Sequence, residues 1–129
     1  AKRARHLLVV LPKAPKADAR TPHLAALEAT LARRKKKLAD LVTSPVTVDA
    51  PGGALVAWVM IDATQSAFER QTAMRKAVSS LLGENPAQID IAVYGDATQR
   101  LAAAELALYC AWSGNGVWRL WFRQVSGRN

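Results

Sequence analysis

The apolar run from Leu7 to Leu11 shows no alternation of polar and apolar residues. A strand with one solvent-facing side alternates, whereas a strand covered on both faces is apolar at every position. The run therefore predicts a central strand in a sheet that lies between two helical layers. Neither this run nor the longer one from Ala54 to Ile61 approaches the ~20 residues of a membrane-spanning helix, so we expect no membrane span.

A long amphipathic helix is predicted from Thr21 to near Val42. Thr21 is a favourable N-cap residue, and Pro22 suits the first helical position. Ser44-Pro45 ends the helix, because proline lacks the amide hydrogen and restricts the residue before it. The apolar side of this helix consists of leucines spaced three, four and seven residues apart, at Leu24, Leu27, Leu31, Leu38 and Leu41.

A β-hairpin is predicted next, from a short strand at Val46 to Val48 and the apolar run from Ala54 to Ile61. The turn between them contains Pro51-Gly52-Gly53. Paired glycines also occur in phosphate-binding loops, but the GxGxxG spacing is missing and no helix follows. A tight hairpin turn therefore explains this glycine pair.

A second helix is predicted to begin at Ser66 and to end near Leu82. Ser66 and Glu69 match a capping box, in which each side chain bonds a backbone amide at the helix start. Gly83 is predicted to adopt a left-handed C-terminal cap. The apolar positions of this helix are Phe68, Met74, Ala77, Val78, Leu81 and Leu82.

One more strand and one more helix complete the pattern. Gln88 to Tyr94 predicts a strand, Asp96 can cap a helix, and Ala97 to Trp112 is rich in alanine and leucine. The resulting order, β-α-β-β-α-β-α, predicts the α/β class. We expect a three-layer structure, a mixed sheet with helices on both faces, in which the hairpin supplies an antiparallel pair.

Residues 1–112 are thus predicted to form one α/β N-terminal domain, and residues 113–129 a tail rich in Trp and Arg. Two interpretations of the tail stay open. Side chains alternate from Val117 to Arg123, which is typical of a last strand; the alternative is a disordered end.

Charge favours anionic partners. The chain contains 18 Lys and Arg against 10 Asp and Glu, a net charge of +8, so nucleic acid and acidic membrane surfaces are attracted. Five consecutive cations, within the predicted first helix, form the strongest charged feature: Arg33, Arg34, Lys35, Lys36 and Lys37.

Two interpretations of this run stay open. The first is a solvated helix end, where cations favour the helix dipole, with Lys35 over the apolar side between Leu31 and Leu38. The second is a patch that contacts phosphates. The patch would also include basic residues near both ends of the chain, namely Lys2, Arg3, Arg5, Arg119 and Arg123.

The residue types needed for catalysis are sparse, and we predict no catalytic residue, metal ligand or cofactor. The two histidines, His6 and His23, have no acidic partner at a suitable spacing and are expected at the surface. Asp62 follows a strand, the usual location for a functional carboxylate in an α/β fold, but a lone aspartate there is more often a turn former, and this is what we expect. Cys110 lies near a helix C-terminus, where the dipole disfavours a thiolate, so a packing role is expected. A single cysteine and no disulfide favour a cytoplasmic location.

Three segments together resemble the N-terminal domain of the leucine aminopeptidase (cytosol aminopeptidase) family. They are Phe68 to Ala77, with its Arg-Lys pair, Ile89 to Asp96, and Ala102 to Tyr109, with its Ala-Glu pair. The resemblance covers about residues 6–112. It implies a macro-domain-like fold that precedes a separate zinc peptidase domain.

The family's metal ligands and catalytic Lys and Arg lie around an Asn-Thr-Asp-Ala-Glu-Gly-Arg motif, which this sequence lacks. No catalytic residue is therefore carried over. We interpret the chain as an isolated or truncated N-terminal domain that does not hydrolyse peptides alone. Macro domains also suggest ADP-ribose binding, but their glycine-rich phosphate loop and Asn-rich segment are not found here.

The resemblance thus implies a non-catalytic accessory domain that assists assembly of, or access to, a catalytic peptidase domain. That domain, further copies of the chain, and DNA are the implied partners, since some family members bind DNA. The alternative is a basic nucleic-acid-binding module acting through the cation run. A third hypothesis is a nucleotide-like ligand in a crevice at the strand ends.

Overall fold

The computed structural model describes residues 5–83, 86, 88–112 and 120–126, and for residues 112 and 120–126 it describes the backbone. Five strands form one sheet: β1 (Arg5–Pro12), β2 (Val46–Asp49), β3 (Leu55–Ile61), β4 (Gln88–Gly95) and β5 (Leu120–Ser126). The helices are α1 (Leu24–Arg33), α2 (Ala67–Leu82) and α3 (Ala97–Trp112). Short 3₁₀ turns span Leu38–Val42 and Pro51–Gly53.

The sheet has the order β2-β3-β1-β4-β5 and is mixed. β1 runs parallel to β3 and β4, β4 runs parallel to β5, and β2 is antiparallel to β3. The predicted α/β class is therefore confirmed, as is the central position of the first strand. The hairpin is confirmed too, with Gly52 and Gly53 at φ of +82° and +81° in its turn.

Two apolar cores lie on opposite faces of the sheet. One face packs Leu8 and Val10 of β1 against α2 and α3, and the other packs Val9 and Leu11 against α1 and the 3₁₀ turn. The apolar run of β1 is thus buried on both sides, which is the physical reason that it does not alternate. In the described part of the chain, no helix has the length and apolar character needed to cross a membrane.

The first helix is shorter than the predicted helix from Thr21 to Val42, and it begins later. Thr21 is not its N-cap, because His23 occupies that position with φ of 55°. Residues 22 and 23 form a turn instead, where the Pro22 carbonyl accepts a hydrogen bond of 3.3 Å from the buried indole of Trp58.

The end of α1 explains why the leucine pattern was misleading. The helix stops at Arg33, and Lys35 takes a left-handed conformation with φ of 56°. The amides of Lys35 and Lys36 bond the carbonyls of Ala32 and Leu31 at 3.1 and 2.8 Å, the pattern of a Schellman cap. A continued helix would bring cations to its buried side; this turn exposes all five, while the following 3₁₀ turn buries Leu41.

The second helix matches its predicted bounds, and its capping box is present: Ser66 and Glu69 each accept the other's backbone N–H. Two expectations are wrong. Phe68 is 75% exposed, because it lies roughly 150° around the helix from the buried side. Gly83 has φ of −59°, so the cap is right-handed rather than left-handed.

The last strand lies in the predicted tail. β5 pairs with β4 from Leu120 to Ser126, somewhat later than the predicted Val117 to Arg123, and residues 117–119 lie outside the described part. Of the two interpretations of the tail, the strand holds for residues 120–126.

The connections between strands open a crevice at one edge of the sheet. The chain leaves β1 toward α1 on one face, whereas it leaves β3 and β4 toward α2 and α3 on the other. Neighbouring parallel strands whose connections diverge in this way leave a crevice at their carboxyl ends, where ligands of α/β proteins commonly bind.

Candidate functional site

A cavity of about 260 Å³ lies at the carboxyl ends of β1, β3 and β4. Its floor and walls are mainly apolar, with α3 closing one side. The lining includes Leu11, Pro12, Ile61, Ala63, Tyr94, Ala102 and Ala103, together with the polar residues Arg70, Thr98 and Gln99. A concave, mainly apolar space with a few polar groups is the usual form of a small-molecule site.

Arg70 is the cation of this cavity, and the backbone holds it in place. Its Nη1 donates to the carbonyl of Ala63 at 3.4 Å and to the carbonyl of Gln65. Both carbonyls belong to the loop from β3 to α2. The Arg70 side chain, which comes from α2, therefore also holds that loop in place. Arg70 lines a second cavity, of about 360 Å³ between α2 and α3, where Glu105 and Tyr109 also lie.

The start of α3 is rigidly built. Asp96 Oδ1 accepts the Gln99 amide at 2.8 Å, and Gln99 Oε1 accepts the Asp96 amide at 2.9 Å, which confirms the predicted cap. Gly95 precedes it with φ of +111°, and a Cβ there would lie 2.9 Å from the Gln99 Cβ. Arg100 Nη1 donates to the Gly95 carbonyl at 2.8 Å. These contacts fix the first turn of α3, and with it Thr98, at the cavity wall.

Asp62 forms the turn after β3, as predicted. Its Oδ1 accepts the amide and hydroxyl of Thr64 at 2.9 and 2.8 Å, and Lys13 Nζ lies 3.4 Å from Oδ2. The bonds from Thr64, with a smaller contribution from Lys13, lower the pKa of this carboxyl. Asp62 is therefore an ionised turn residue.

The loop after β1 borders the same edge. Asp18 and Arg20 pair through two bonds, Nη2–Oδ2 at 2.7 Å and Nε–Oδ1 at 3.0 Å. These bonds lower the pKa of Asp18. The buried Tyr94 hydroxyl donates to the Arg20 carbonyl at 3.3 Å, which attaches the loop to β4. A cavity of about 210 Å³ between this loop and the strand ends is lined by Lys16 among others.

The two histidines lie in different environments, one buried and one exposed. His6 is only 2% exposed, so its predicted surface position is wrong; its Nδ1 accepts the Leu55 amide at 3.0 Å. That bond requires an unprotonated Nδ1 and links β1 to the start of β3. His23 is exposed, as predicted.

Cys110 packs in the core of α3, as predicted, with 4% exposure. Burial raises the pKa of its thiol, and the charge of Arg75 opposes that rise. Arg75 also lies over the ring of Tyr109, 5.9 Å from the centroid. A buried thiol with a raised pKa is a poor nucleophile.

A buried polar group at the amino end of the sheet was missed by sequence reasoning. Gln88 Nε2 donates to Asp90 Oδ1 at 2.6 Å, and Arg5 Nη2 lies 3.6 Å from Oδ2. Gln88 and Asp90 are 8% and 9% exposed. In a strand pattern such residues suggest a solvent face, so no local signal distinguishes them from surface residues.

The five cations from Arg33 to Lys37 are all exposed. They lie at the end of α1, beside the edge strand β2 of the hairpin. Arg33 and Arg34 line a shallow surface depression with Thr47 and Asp49 of β2. The backbone of Arg123 belongs to β5, at the opposite edge of the sheet. Arg5, which the predicted patch also includes, begins β1 and lies 3.6 Å from the Asp90 carboxylate. Lys2, Arg3 and Arg119 lie outside the described residues.

The cleft residues Arg70 and Thr98 carried no sequence signal, because each lies in an ordinary helix and the cavity appears only when three strand ends meet. Among the described residues, no group of three or more His, Cys, Asp or Glu side chains could hold a metal ion. Comparison with protein-family models and with curated proteins gave no match.

Proposed function

We propose that this domain is a non-catalytic accessory unit of a leucine-aminopeptidase-like metallopeptidase, in the cytoplasm. It would assist assembly with, or access to, a separate catalytic domain. The proposal rests on the resemblance of α2, β4 and α3 to that family, three elements that are contiguous in this fold.

The observation that carries the proposal is the distribution of exposed apolar side chains. Within the described part, all four large ones lie on α2 and α3: Phe68 (75%), Leu101 (62%), Leu108 (42%) and Tyr109 (55%). Exposed apolar side chains concentrated on one layer are typical of a surface that another protein or domain covers. The other helical layer, with α1, presents cations instead.

The polar side chains at the strand ends also fit a scaffold. Asp62 and Asp96 bind backbone amides, and Asp18 binds Arg20. Cys110 is buried. The three aspartates hold turns and a helix start, and the cysteine packs in the core, which supports a structural role for the domain.

The test uses the full reading frame that contains this domain. The double substitution Leu101→Lys and Leu108→Lys is compared with Ala25→Lys and Ala29→Lys, which add the same charge on exposed positions of α1. We expect the first variant to weaken assembly at least tenfold by sedimentation or light scattering, and the second to leave it unchanged, since only the first charges the apolar layer. Equal assembly, or a reading frame without a metal-binding peptidase domain, would refute the proposal.

A second candidate is polyanion binding by the cation run Arg33 to Lys37. The supporting observation is that five exposed cations adjoin one another and none takes part in an ion pair among the described residues. Binding to duplex DNA would then depend steeply on salt, since each phosphate contact releases counterions.

The salt slope tests this candidate. Replacing Arg33, Lys35 and Lys36 by Gln should reduce the slope of log K against log salt by about three units. Replacing Lys16, Arg75 and Lys76 by Gln removes the same charge at positions outside the run. This control should reduce the salt slope only slightly. Equal slopes for the two triple variants would exclude the run as the binding site.

A further inference from the structure

The cleft at the carboxyl edge combines an apolar interior with one anchored cation. We propose that it binds a small carboxylate with a branched or aromatic apolar tail. This ligand class is independent of any role in a peptidase.

The position of the cavity favours a ligand. It lies where the connections from β1 and from β3 and β4 diverge to opposite faces, so the backbone itself leaves the space. Side-chain packing alone does not close it, because its lining includes small residues, Ala102 and Ala103 of α3 and Ala63 of the loop after β3. The cavity is therefore a consequence of topology that small side chains keep open.

The polar part of the lining favours an anion. Arg70 lines the cavity, and two backbone carbonyls hold its Nη1, so binding a ligand with the other donors costs little side-chain entropy. Thr98 is in the first turn of α3, whose dipole also favours negative charge. An arginine fork matches the two oxygens of a carboxylate.

No acidic side chain is among the described residues that line this cavity. Asp62 binds Thr64 and Lys13, and Asp96 binds the Gln99 amide. Glu105 lines the neighbouring cavity between α2 and α3, which Arg70 also lines, but it does not line this one. Among the described residues that line the cavity, Arg70 is the one with a formal charge.

The size and apolar lining narrow the ligand further. A volume of about 260 Å³ is below the roughly 300–1,000 Å³ of sites for drug-sized molecules. A dinucleotide is much too large for it. Leu11, Ile61 and Tyr94 offer contact to a branched aliphatic or single aromatic group. A short monocarboxylate such as 4-methylvalerate meets both requirements.

Titration of the protein with 4-methylvalerate, followed by ¹H–¹⁵N NMR, tests the proposal. We expect saturable shifts at Thr98, Ala102 and Ile61, with a Kd between micromolar and millimolar, as befits a ligand of few atoms. The uncharged 4-methylvaleramide should bind about tenfold more weakly, because it loses the charged pairing with Arg70. Equal binding of the amide, or shifts confined to residues 33–37, would overturn the proposal.

Two variants and their controls localise the site. Arg70→Gln should weaken binding about tenfold, whereas Arg33→Gln, the same charge change on α1, should have less than a twofold effect. Ala102→Phe should abolish binding by filling the cavity, and Ala25→Phe on exposed α1 should not. Arg70 also holds the loop before α2, so Arg70→Gln could fail to fold. In that case Ala102→Phe, which leaves that loop unchanged, still tests whether the ligand binds in this cavity. Unchanged binding in Ala102→Phe would exclude this cavity.

Discussion

The amino edge and the carboxyl edge, where the parallel strands of the sheet begin and end, use polar residues in opposite ways. At the carboxyl edge, Asp62 and Asp96 are exposed or partly exposed and hold turns, and Arg70 borders an open cavity. At the amino edge, Asp90 and His6 are buried among strands and bonded to other protein groups. The buried groups at the amino edge are essential to folding, because a buried polar group without its hydrogen-bond partner lowers the free energy of unfolding. The carboxyl edge, in contrast, tolerates an unfilled space.

The largest effect is expected from Asp90→Ala. It would leave the buried amide of Gln88 without its acceptor and remove the charge opposite Arg5. We expect a loss of about 2–3 kcal/mol in the free energy of unfolding, measured in urea. Asp49→Ala, at an exposed position, should cost less than about 0.5 kcal/mol. A small cost at both positions would remove the contrast between the edges.

Gly95→Ala tests how tightly the carboxyl edge is built. The residue has φ of +111° and faces Gln99, so a methyl group would strain the backbone and displace the cap of α3. We expect a loss of about 1–3 kcal/mol in thermal or urea unfolding. Gly83→Ala is the control, since Gly83 has φ of −59°; it should be neutral or stabilise by up to about 1 kcal/mol. Equal effects would mean that the left-handed turn is not needed.

Lys35 has a comparable left-handed backbone at the end of α1, but with a side chain. Lys35→Gly should therefore stabilise the domain by about 0.5–1 kcal/mol, because glycine adopts positive φ without steric cost. Lys36→Gly, one residue beyond the left-handed position, should not stabilise it. Urea unfolding of both variants checks this, and destabilisation by Lys35→Gly would contradict the Schellman cap.

The smallest effect is expected from pH. The pKa values of Asp18 and Asp62 lie below the ordinary value of 3.8, because Arg20 and Thr64 bond their ionised forms. Their stabilisation is present above that value and is lost as the pH falls through the lower folded-state values. Asp18→Asn with Asp62→Asn should flatten the decline of thermal stability below about pH 4. An unchanged decline would mean that these turns do not contribute to acid sensitivity.

Local patterns predicted most elements because each had its own signal. The capping box at Ser66 and the cap at Asp96 depend on residues three apart, and the hairpin depends on adjacent glycines. The same reasoning failed for α1, where leucine spacing continued across a turn. Leu41 is buried, but it belongs to a 3₁₀ turn. A leucine at helical spacing was therefore buried there without being part of the helix.

The candidate cleft could not be predicted in the same way. Arg70 and Thr98 lie 28 positions apart in the chain, on two helices that only the sheet brings together. The crevice at strand ends was expected in general, but its lining depends on which helix covers which strand. His6 likewise changed from an expected surface residue to a buried acceptor, because the neighbouring strand lies beside it.

The amino-acid sequence by itself determined the α/β class, the doubly covered first strand, the starts of α2 and α3, and the excess of positive charge. Each of these depends on residues close together in the chain, whose backbone preferences and hydrogen bonds act locally. Only the tertiary structure decided strand order, the burial of Asp90 and the cavity beside Arg70. Those features require contacts between distant residues, and their energies depend on how completely the packed layers exclude water.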